Sequence, residues 1–300
     1  MSDVPLRRSI LATPVTDKEM VRMAARSNAD EILLDLEDSL APQEKSTARD
    51  TLAQMIVEHD WGEKRLSYRI NGVRTGWWYE DVIDVFEKVG ANIGDIVIPK
   101  VESAFDVETV ANLLDSVSMN IDQDLSDVGL VAQVETATGV ANVEDIAAST
   151  DRLNTLLFGP GDYVASLGRG SGVSVEESTY DGHYWHYPLS RISQAAASED
   201  LFAVDGPYTD YEDINAFERS CRHAKMLGFV GKITVHPTQI EPANTVFSLS
   251  ADEVAQAERI VSAYECSDGV PTLDGLLVDE ETYEMARRLL SRAEKEELNR

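Results

Sequence analysis

The chain has little cysteine, little lysine and no long apolar run. Its two cysteines, Cys221 and Cys266, cannot build a disulfide framework, and no CxxC pair or histidine cluster suggests a zinc site. No segment approaches the ~18 apolar residues of a membrane span. The first residues, MSDVPLRRSILATP, lack the apolar core of a signal peptide. We therefore expect a cytoplasmic protein that does not contact a membrane.

Basic residues are scarce as a class. Lysine and arginine together number 26 against 54 aspartates and glutamates, so the formal net charge is −28, and only 8 of the 26 are lysine. A surface of this sign repels nucleic acid and anionic membranes, and it repels itself until salt screens it. The composition is typical of a halophilic enzyme, although an ordinary acidic protein remains the alternative.

The apolar pattern predicts the fold. Eight short β-branched runs recur, each followed by a helical pattern, which is the arrangement of βα units. The chain has no GxGxxG after the first run and no GxxxxGK[ST], so nucleotide-binding folds lose support. We predict an α/β fold, a (β/α)8 TIM barrel with a C-terminal helical extension. The predicted strands are Arg8–Leu11, Glu31–Asp35, Arg65–Ile70, Asp95–Ile98, Gly129–Val134, Thr155–Phe158, Leu201–Val204 and Lys232–Val235.

Two domains follow from this pattern. We assign residues 1–248 to the barrel with the metal site and residues 249–300 to a C-terminal helical arm. The arm has helical patterns over Ala251–Tyr264 and Glu280–Glu297, separated by the turn-rich stretch SDGVPTLDG. The arm is either an outer buttress or a segment that reaches a neighbouring subunit. Within the barrel, Ser103–Val117 is predicted to be a helix capped by Ser103, with Phe105 facing inward.

Polar side chains follow the predicted strands at their C-terminal ends, where barrel enzymes carry their catalytic groups. Glu135 and Asp162 are one βα unit apart, which places them on adjacent strand ends within reach of one cation. Mg²⁺ takes oxygen ligands, usually one or two carboxylates with water and substrate. The alternative is that such acids cap the helices that follow. Arg69, on the same rim, favours an anionic ligand. The other strand-end residues include Asp35, Glu37, Asp38, Lys100, Glu102 and His236.

Some features leave two interpretations open. His236 either lines the mouth of the barrel or bonds a backbone carbonyl, and no Ser-His-Asp or Cys-His arrangement is present in the sequence pattern. Trp77, Trp78 and Tyr79 either cover the pocket or pack a helix start. The stretch Gly168–Ser178 is either a loop that closes over substrate or a surface loop.

Several motifs together resemble one superfamily, and the likeness covers nearly the whole chain. The sequence is similar to the citrate lyase β-chain-like (HpcH/HpaI aldolase) superfamily and, within it, to malyl-CoA/β-methylmalyl-CoA lyases of haloarchaeal type. The motifs are ILLDLEDSLAPQEKSTAR, RLSYRINGVRTGWWYEDVIDV, IVIPKVESAFDV, QVETATGVANVEDIAAS, LLFGPGDYVASLG, VDGPYTDYED, LGFVGKITVHPTQIEPAN and LDGLLVD.

The resemblance implies a role for each residue that matches a family motif. Glu135 and Asp162 match the ligands of Mg²⁺, for which Mn²⁺ is a possible substitute. Glu37 and Asp38 match acids that hold metal-bound waters, and Arg69 matches the substrate-binding arginine.

The resemblance also implies contacts with the substrate and with a neighbouring subunit. Asp279 matches a catalytic acid/base that reaches the site from a neighbouring subunit, which implies a homotrimer or a dimer of trimers. Gly161 is expected to bind substrate through its backbone, together with Asp162. The candidates for the coenzyme A phosphates are Arg8, Lys18, Lys45 and Arg49.

The implied reaction is the reversible cleavage of malyl-CoA or β-methylmalyl-CoA to glyoxylate and acetyl-CoA or propionyl-CoA. One alternative is a malyl-CoA thioesterase on the same scaffold, in which water attacks the thioester. Another is a citrate lyase β-type subunit that acts within a complex. A malate synthase, a CoA-independent pyruvate aldolase and a catalytically silent scaffold are further alternatives.

Overall fold

Eight parallel strands close into a barrel in chain order, which confirms the predicted fold. The computed structural model describes residues 6–168, 184–267 and 269–298. The chain forms two compact units, one over Arg7–Phe247 and one that comprises the residues before Arg7 and those from Ser248 onward. The barrel strands are β1 Ser9–Pro14, β2 Glu31–Asp35, β3 Arg65–Arg69, β4 Asp95–Ile98, β5 Gly129–Val134, β6 Leu153–Phe158, β7 Phe202–Asp205 and β8 Gly231–Thr234.

Helices connect successive strands and follow the last one. They are α1 Lys18–Ala25, α2 Lys45–Glu58, α3 Trp78–Val89, α4 Ala104–Ile121, α5 Ala137–Ala141, α6 Val143–Ala147, α7 Pro160–Ser166, α8 His186–Ser198, α9 Ile214–Met226 and α10 Ile240–Phe247. A 3₁₀ turn, Pro237–Gln239, precedes α10. Among the described residues, no helix is both long and apolar enough to cross a membrane.

The barrel buries its strands on both faces, which explains why they are nearly continuous apolar runs such as EILLD. The helices cover the outer face with a large apolar layer. Alternate strand residues point inward, because side chains in a strand alternate between faces. The inward layer at mid-height consists of Ile10, Leu33, Val97, Val131, Leu157, Val204 and Ile233.

Helix α4 shows where local pattern succeeds and where it fails. Ser103 and Asp106 form a capping box at its start, so the predicted N-cap is confirmed. The prediction that Phe105 faces inward was wrong, because its side chain is 70% exposed. Val107 and Leu114 form the buried face of the helix. Because Phe105 lies two residues before Val107, it points to the opposite side of the helix.

The second unit pairs two helices around a short hairpin. Helices α11 (Ala251–Glu265) and α12 (Glu280–Leu298) flank the strands β9 (Thr272–Leu273) and β10 (Leu276–Leu277). Asp274 and Gly275 between the strands both have positive φ, as a two-residue type I′ hairpin turn requires. The rings of Tyr264 and Tyr283 stack at 4.5 Å and join the two helices.

Candidate active site

The C-terminal ends of the strands bring acidic and basic side chains to one mouth of the barrel. Asp35 and Arg69 are the last residues of β2 and β3, and Glu135 directly follows β5. Asp162 lies in the first turn of α7, after β6. Since the strands are parallel, these positions share one end of the barrel. We define the rim cluster as Asp35, Glu37, Asp38, Arg69, Lys100, Glu135 and Asp162.

Arg69 is held by Asp35 in a two-point ion pair. Its Nε donates to Asp35 Oδ1 at 2.8 Å and its Nη2 donates to Asp35 Oδ2 at 3.0 Å. Burial alone would raise the pKa of Asp35, but the hydrogen bonds and charge of Arg69 bring that pKa below its ordinary value. The remaining terminal nitrogen, Nη1, lies 3.3 Å from Glu37 Oε2. The guanidinium is thus fixed on one edge and faces the rim cluster with the other.

Glu135 is the most perturbed acid of the rim cluster. Its side chain is buried, and its two oxygens accept from the backbone N–H of Lys100 at 2.8 Å and from Gln133 Nε2 at 2.6 Å. Burial raises the pKa of Glu135 to about 7, and the charges of Glu37 and Asp162 act in the same direction. The charges of Lys100 and Arg69 act against this rise but do not cancel it.

The GPGD turn after β6 is shaped around Glu135. A Cβ at Gly159 would lie 2.4 Å from the Glu135 Cβ, so only glycine lets the two backbones approach. Gly161 differs, because a Cβ there would meet nothing within 4 Å. It lies in the first turn of α7, where backbone N–H groups have no acceptor within the helix. The open space over Gly161 can therefore receive a substrate group.

The ammonium of Lys100 contacts three acids of the rim cluster, although the sequence predicted no specific role for this residue. Its ammonium bonds Glu37 and lies 3.4 Å from Asp162 Oδ2 and 3.6 Å from Asp38 Oδ1. Lys100 directly follows Pro99 at the end of β4, so its position at the rim was predicted, whereas its contacts were not. A lysine two residues after the end of a barrel strand, within a cluster of acids, is the signal that could have pointed to these contacts.

The rim cluster fits a divalent cation bound by few protein ligands. Glu37 Oε2 is buried and has no hydrogen-bond partner, although it is within ion-pair distance of Arg69. In the described part of the chain, no group of three or more His, Cys, Asp or Glu side chains is arranged to hold a metal. Mg²⁺ rarely needs such a cage, since one or two carboxylates with water and substrate suffice. Glu135 and Asp162 carry carboxylate oxygens of the kind that such a site would use.

Lys45, one of the candidates for the coenzyme A phosphates, is bonded to the backbone of its own chain. Its side chain is buried, and its ammonium donates to the carbonyls of Leu36 at 3.1 Å and Glu37 at 2.7 Å. The ammonium also lies 5.5 Å from the centre of the Trp77 ring. Lys45 fixes the backbone that carries Glu37, and Trp77 is the N-cap residue of α3.

Arg8 and Arg49 are also committed elsewhere. Arg49 is buried and bound by three acidic side chains of α3. Arg8 precedes β1 and forms a two-point pair with Asp30 at 2.8 Å, so it lies at the N-terminal end of the barrel, opposite the rim cluster. The expectation that Arg49 and Arg8 bind the coenzyme A phosphates is thus corrected, because the first is buried and the second lies at the other end of the barrel. Lys18 is the exposed residue among the four candidates.

Asp279 lies in the second unit, at the start of α12. Its Oδ1 accepts from the backbone N–H of Thr282 at 2.9 Å and from the Thr282 hydroxyl at 2.6 Å. These hydrogen bonds lower the pKa of this exposed carboxyl. Asp279 is therefore ionised at neutral pH, as a proton acceptor must be.

The sequence leaves two further features open, and the structure describes the first of them. His236 stacks on the Tyr211 ring at 4.7 Å, and its Nδ1 lies 2.8 Å from the Thr238 hydroxyl, so it shapes the turn after β8. Beyond Gly168, the stretch 169–178 lies outside the described residues.

A second charged cluster, at the N-terminal end of the barrel, was not predicted. The fully buried Asp95 accepts hydrogen bonds from Arg7, Arg65 and Asn154. Glu31 lies 3.6 Å from Arg7. We define the base cluster as Arg7, Glu31, Arg65, Asp95 and Asn154. Its members come from five separate segments, so no local pattern marks it.

Comparison with known proteins agrees with this geometry. The HpcH/HpaI aldolase/citrate lyase family model matches residues 8–237. The chain belongs to this family. Membership confirms the resemblance given by the motifs and makes the chain an enzyme of a carbon–carbon lyase family. The metal-ligand and substrate roles of individual residues stay predictions.

Relatives within the HpcH/HpaI family span nearly the full chain. The chain is 35% identical over 301 residues to an L-malyl-CoA/β-methylmalyl-CoA lyase of Cereibacter sphaeroides, covering 96% of this chain and 94% of the relative. It is 34% identical over 291 residues to a (3S)-malyl-CoA thioesterase of the same species, with the same coverage. The structure of protein CitE from Mycobacterium tuberculosis, in complex with magnesium, acetoacetate and coenzyme A, superimposes with a TM-score of 0.74 at 27% identity, covering 98% of this chain and 99% of that chain.

Proposed function

We propose that this enzyme reversibly cleaves the carbon–carbon bond of malyl-CoA or β-methylmalyl-CoA, giving glyoxylate and acetyl-CoA or propionyl-CoA. The observation that carries the proposal is the buried Glu135 beside Asp162 and Arg69 at one barrel mouth. The identity of 35% to a lyase of that name supports the same substrate class. The full-length likeness to a coenzyme A complex supports a thioester substrate.

Glu135 and Asp162 would hold Mg²⁺, or Mn²⁺ in its place, and Glu37 and Asp38 would hold the metal-bound waters. When bound, the cation supplies a Lewis acid and a template for the carboxylate and carbonyl oxygens of glyoxylate. The carboxylate oxygens of this site, from the buried Glu135 and the partly exposed Asp162, are the hard donors that such a cation prefers.

Arg69 and Asp279 carry the proton and charge movements. In the condensation direction, the carboxylate of Asp279 accepts the α-proton of the acyl thioester. The edge of Arg69 that Asp35 does not bind stabilises the enolate oxygen as charge develops there, and Gly161 N–H orients the glyoxylate carboxylate. The enolate carbon then bonds to the carbonyl carbon of glyoxylate, and the new 3-hydroxyl oxygen takes the proton that Asp279 holds. In cleavage, Asp279 would accept the proton of the 3-hydroxyl as the carbon–carbon bond breaks and deliver it to the α-carbon of the enolate.

The first test is product identification with each acyl-CoA, with and without Mg²⁺. A lyase gives glyoxylate and a shorter acyl-CoA, whereas a thioesterase gives malate and free coenzyme A. The thioesterase is the second candidate function because a relative of that name is 34% identical over nearly the whole chain. A purified chain that turns over neither free thioester would instead favour a citrate lyase β-type subunit.

We also propose that the enzyme is a homotrimer or a dimer of trimers in which the arm of one subunit places Asp279 in a neighbour's site. Asp279→Asn should abolish turnover and leave Mg²⁺ binding unchanged. Co-assembly of Asp279→Asn with Glu135→Gln subunits should restore part of the activity, because some sites then combine one intact residue from each chain. Mixed assemblies as inactive as either parent would contradict a shared site.

The acidic composition supports a halophilic, cytoplasmic enzyme, and both remain proposals. A net charge of −28 is tolerated where salt is high enough to screen repulsion between surface carboxylates. The phosphates of the coenzyme A substrate meet this negative surface unless local cations receive them, and Lys18 is the exposed candidate that the structure retains.

A further inference from the structure

Lys100 has a backbone conformation that lysine seldom adopts. Its φ is +52°, and the other described non-glycine residues with positive φ are three aspartates, Asp122, Asp200 and Asp274. Aspartate tolerates this left-handed region because its short polar side chain can bond locally. Lysine has no such compensation, so the surrounding structure must hold Lys100 in place.

Both ends of Lys100 contact the rim cluster. Its backbone N–H donates to Glu135 Oε1 at 2.8 Å. Its ammonium bonds Glu37, and it lies 3.4 Å from Asp162 Oδ2 and 3.6 Å from Asp38 Oδ1. One residue therefore links acids that follow β2, β5 and β6. The left-handed backbone is what lets its N–H and its side chain reach the same cluster.

We propose that Lys100 is a positioning residue, a resident cation that holds Glu37 and Asp162 together in the metal-free enzyme and leaves them when a divalent cation binds. This inference rests on the metal site of the proposed function. Asp162 is a proposed ligand and Glu37 a proposed water-holding acid, so the ammonium and the ion compete for the same oxygens. A bound cation repels the ammonium at this distance, so it weakens the hold of Lys100 on these carboxylates.

Exposure makes this exchange possible. The side chains of Lys100 and Asp162 are 39% and 40% exposed, so the ammonium can swing into solvent as a hydrated cation arrives. Lys45, the other lysine near the cluster, is buried and bound to backbone carbonyls. Lys45 is therefore a fixed part of the structure, whereas Lys100 is free to exchange.

The test compares Mg²⁺ affinity in three variants of the full chain at one fixed KCl concentration. Lys100→Met removes the ammonium and keeps the length of the side chain. Lys100→Gly also removes it, keeps the backbone N–H donor and relieves the left-handed conformation. The matched control is Lys88→Met, since Lys88 forms an exposed pair with Asp50 at 2.6 Å, away from the rim cluster.

Calorimetric titration should show that both Lys100 variants bind Mg²⁺ about tenfold more tightly than wild type, as expected when one adjacent like charge is removed. Lys88→Met should match wild type. In metal-free buffer, Lys100→Met should melt at a lower temperature than wild type, and saturating Mg²⁺ should close that gap.

Unchanged or weaker Mg²⁺ affinity in both Lys100 variants would overturn the proposal. If wild type binds Mg²⁺ and cleaves malyl-CoA while the variants keep its affinity, the role of Lys100 fails alone. If wild type binds no Mg²⁺, the metal site of the proposed function fails and the role of Lys100 fails with it.

Discussion

The two ends of one barrel carry charged clusters that are built in opposite ways. In the base cluster, two arginines face two acids, and Asp95 accepts from three donors. Burial alone would raise the pKa of Asp95, but Arg7 and Arg65 hold it below its ordinary value. Arg7, Glu31 and Asp95 are all buried. The base cluster has equal numbers of arginines and acids and is largely buried, although the Arg65 side chain is 22% exposed and burial raises the pKa of Glu31.

The rim cluster is neither balanced nor closed. Five carboxylates meet Arg69, Lys100 and, behind them, Lys45, so acids exceed cations. Burial and neighbouring acids raise the pKa of Glu135 to about 7, the opposite direction from Asp95. Asp38 and Asp162 are also partly exposed.

Charge balance, rather than burial, distinguishes the structural base cluster from the rim cluster of the proposed active site. Both clusters contain buried acids, and burial of an acid costs free energy in either place. Each cluster has one buried acid oxygen without a hydrogen-bond partner, Glu37 Oε2 at the rim and Glu31 Oε2 at the base, and burial raises the pKa of Glu31 as well as that of Glu135. The rim differs in its excess of acids over cations, as expected where a ligand completes the site. The base cluster instead secures the barrel where its first strand begins.

The largest expected effect is on turnover, which Glu135→Gln should lower far more than a substitution in the base cluster. We expect turnover to fall by about 10² to 10⁴-fold, because a Lewis acid is worth several kcal/mol of transition-state stabilisation. The metal-free variant should melt no lower than wild type, since glutamine resembles the protonated carboxyl that burial favours. Steady-state kinetics and thermal melting measure the two effects. Asp95→Asn is the control and should keep the turnover of each folded molecule.

Asp95→Asn should show the converse behaviour. Removing one member of a buried charge network leaves the others unpaired, so the free energy of unfolding should fall by about 3–5 kcal/mol. Denaturant unfolding measures this loss. Asp50→Asn removes an acid whose side chain is 69% exposed and paired only with Lys88, and it should leave the unfolding midpoint unchanged. Equal losses in both variants would contradict a structural role for the base cluster.

The sequence predicted the architecture because the relevant signals are local. All eight strands are present, with ends that differ by one to three residues in several cases, for example β1, which continues to Pro14. Parallel strands in a barrel bring their C-terminal ends together, so placing Arg69, Glu135 and Asp162 on one rim followed from topology alone. Their assignment to a metal and a substrate came from family resemblance.

The contacts between distant segments could not be predicted. The burial of Lys45 depends on carbonyls of the preceding loop and on Trp77, and that of Arg49 depends on α3. Nothing in the neighbouring sequence distinguishes these residues from exposed cations that could bind phosphate. Lys100 is a similar case, because its reach across the rim depends on a φ of +52°.

The pH dependence of stability should differ in sign between Glu135 at the rim and Asp95 at the base. Glu135 has a pKa near 7 when folded against 4.5 as its ordinary value, so the folded state binds an extra proton between these limits. Its contribution to stability is therefore present at pH 4.5 and lost as the pH rises to 7. In metal-free buffer, Glu135→Gln should gain stability relative to wild type across this interval. Asp95, with a lowered pKa, should contribute constantly there and lose its contribution only at lower pH.

Melting temperatures of wild type and Glu135→Gln at several pH values, without metal, measure this contribution. A difference that does not change between pH 5 and pH 7 would show that Glu135 is not protonated in the folded enzyme. Mg²⁺ affinity should fall below pH 7 in the same series, because the cation binds the ionised carboxylate and competes with the proton.

The smallest expected effect concerns salt and the base cluster. KCl should raise the melting temperature of wild type, because a net charge of −28 is screened over a Debye length that shrinks from about 8 Å at 0.15 M to about 3 Å at 1 M. The difference in unfolding free energy between wild type and Asp95→Asn should change by less than about 0.5 kcal/mol over that range, since buried pairs are screened far less than exposed charges. A wild-type melting temperature that does not change with KCl concentration would favour an ordinary acidic protein over a halophilic one. A difference between wild type and Asp95→Asn that shrinks with KCl would instead show that solvent reaches the base cluster.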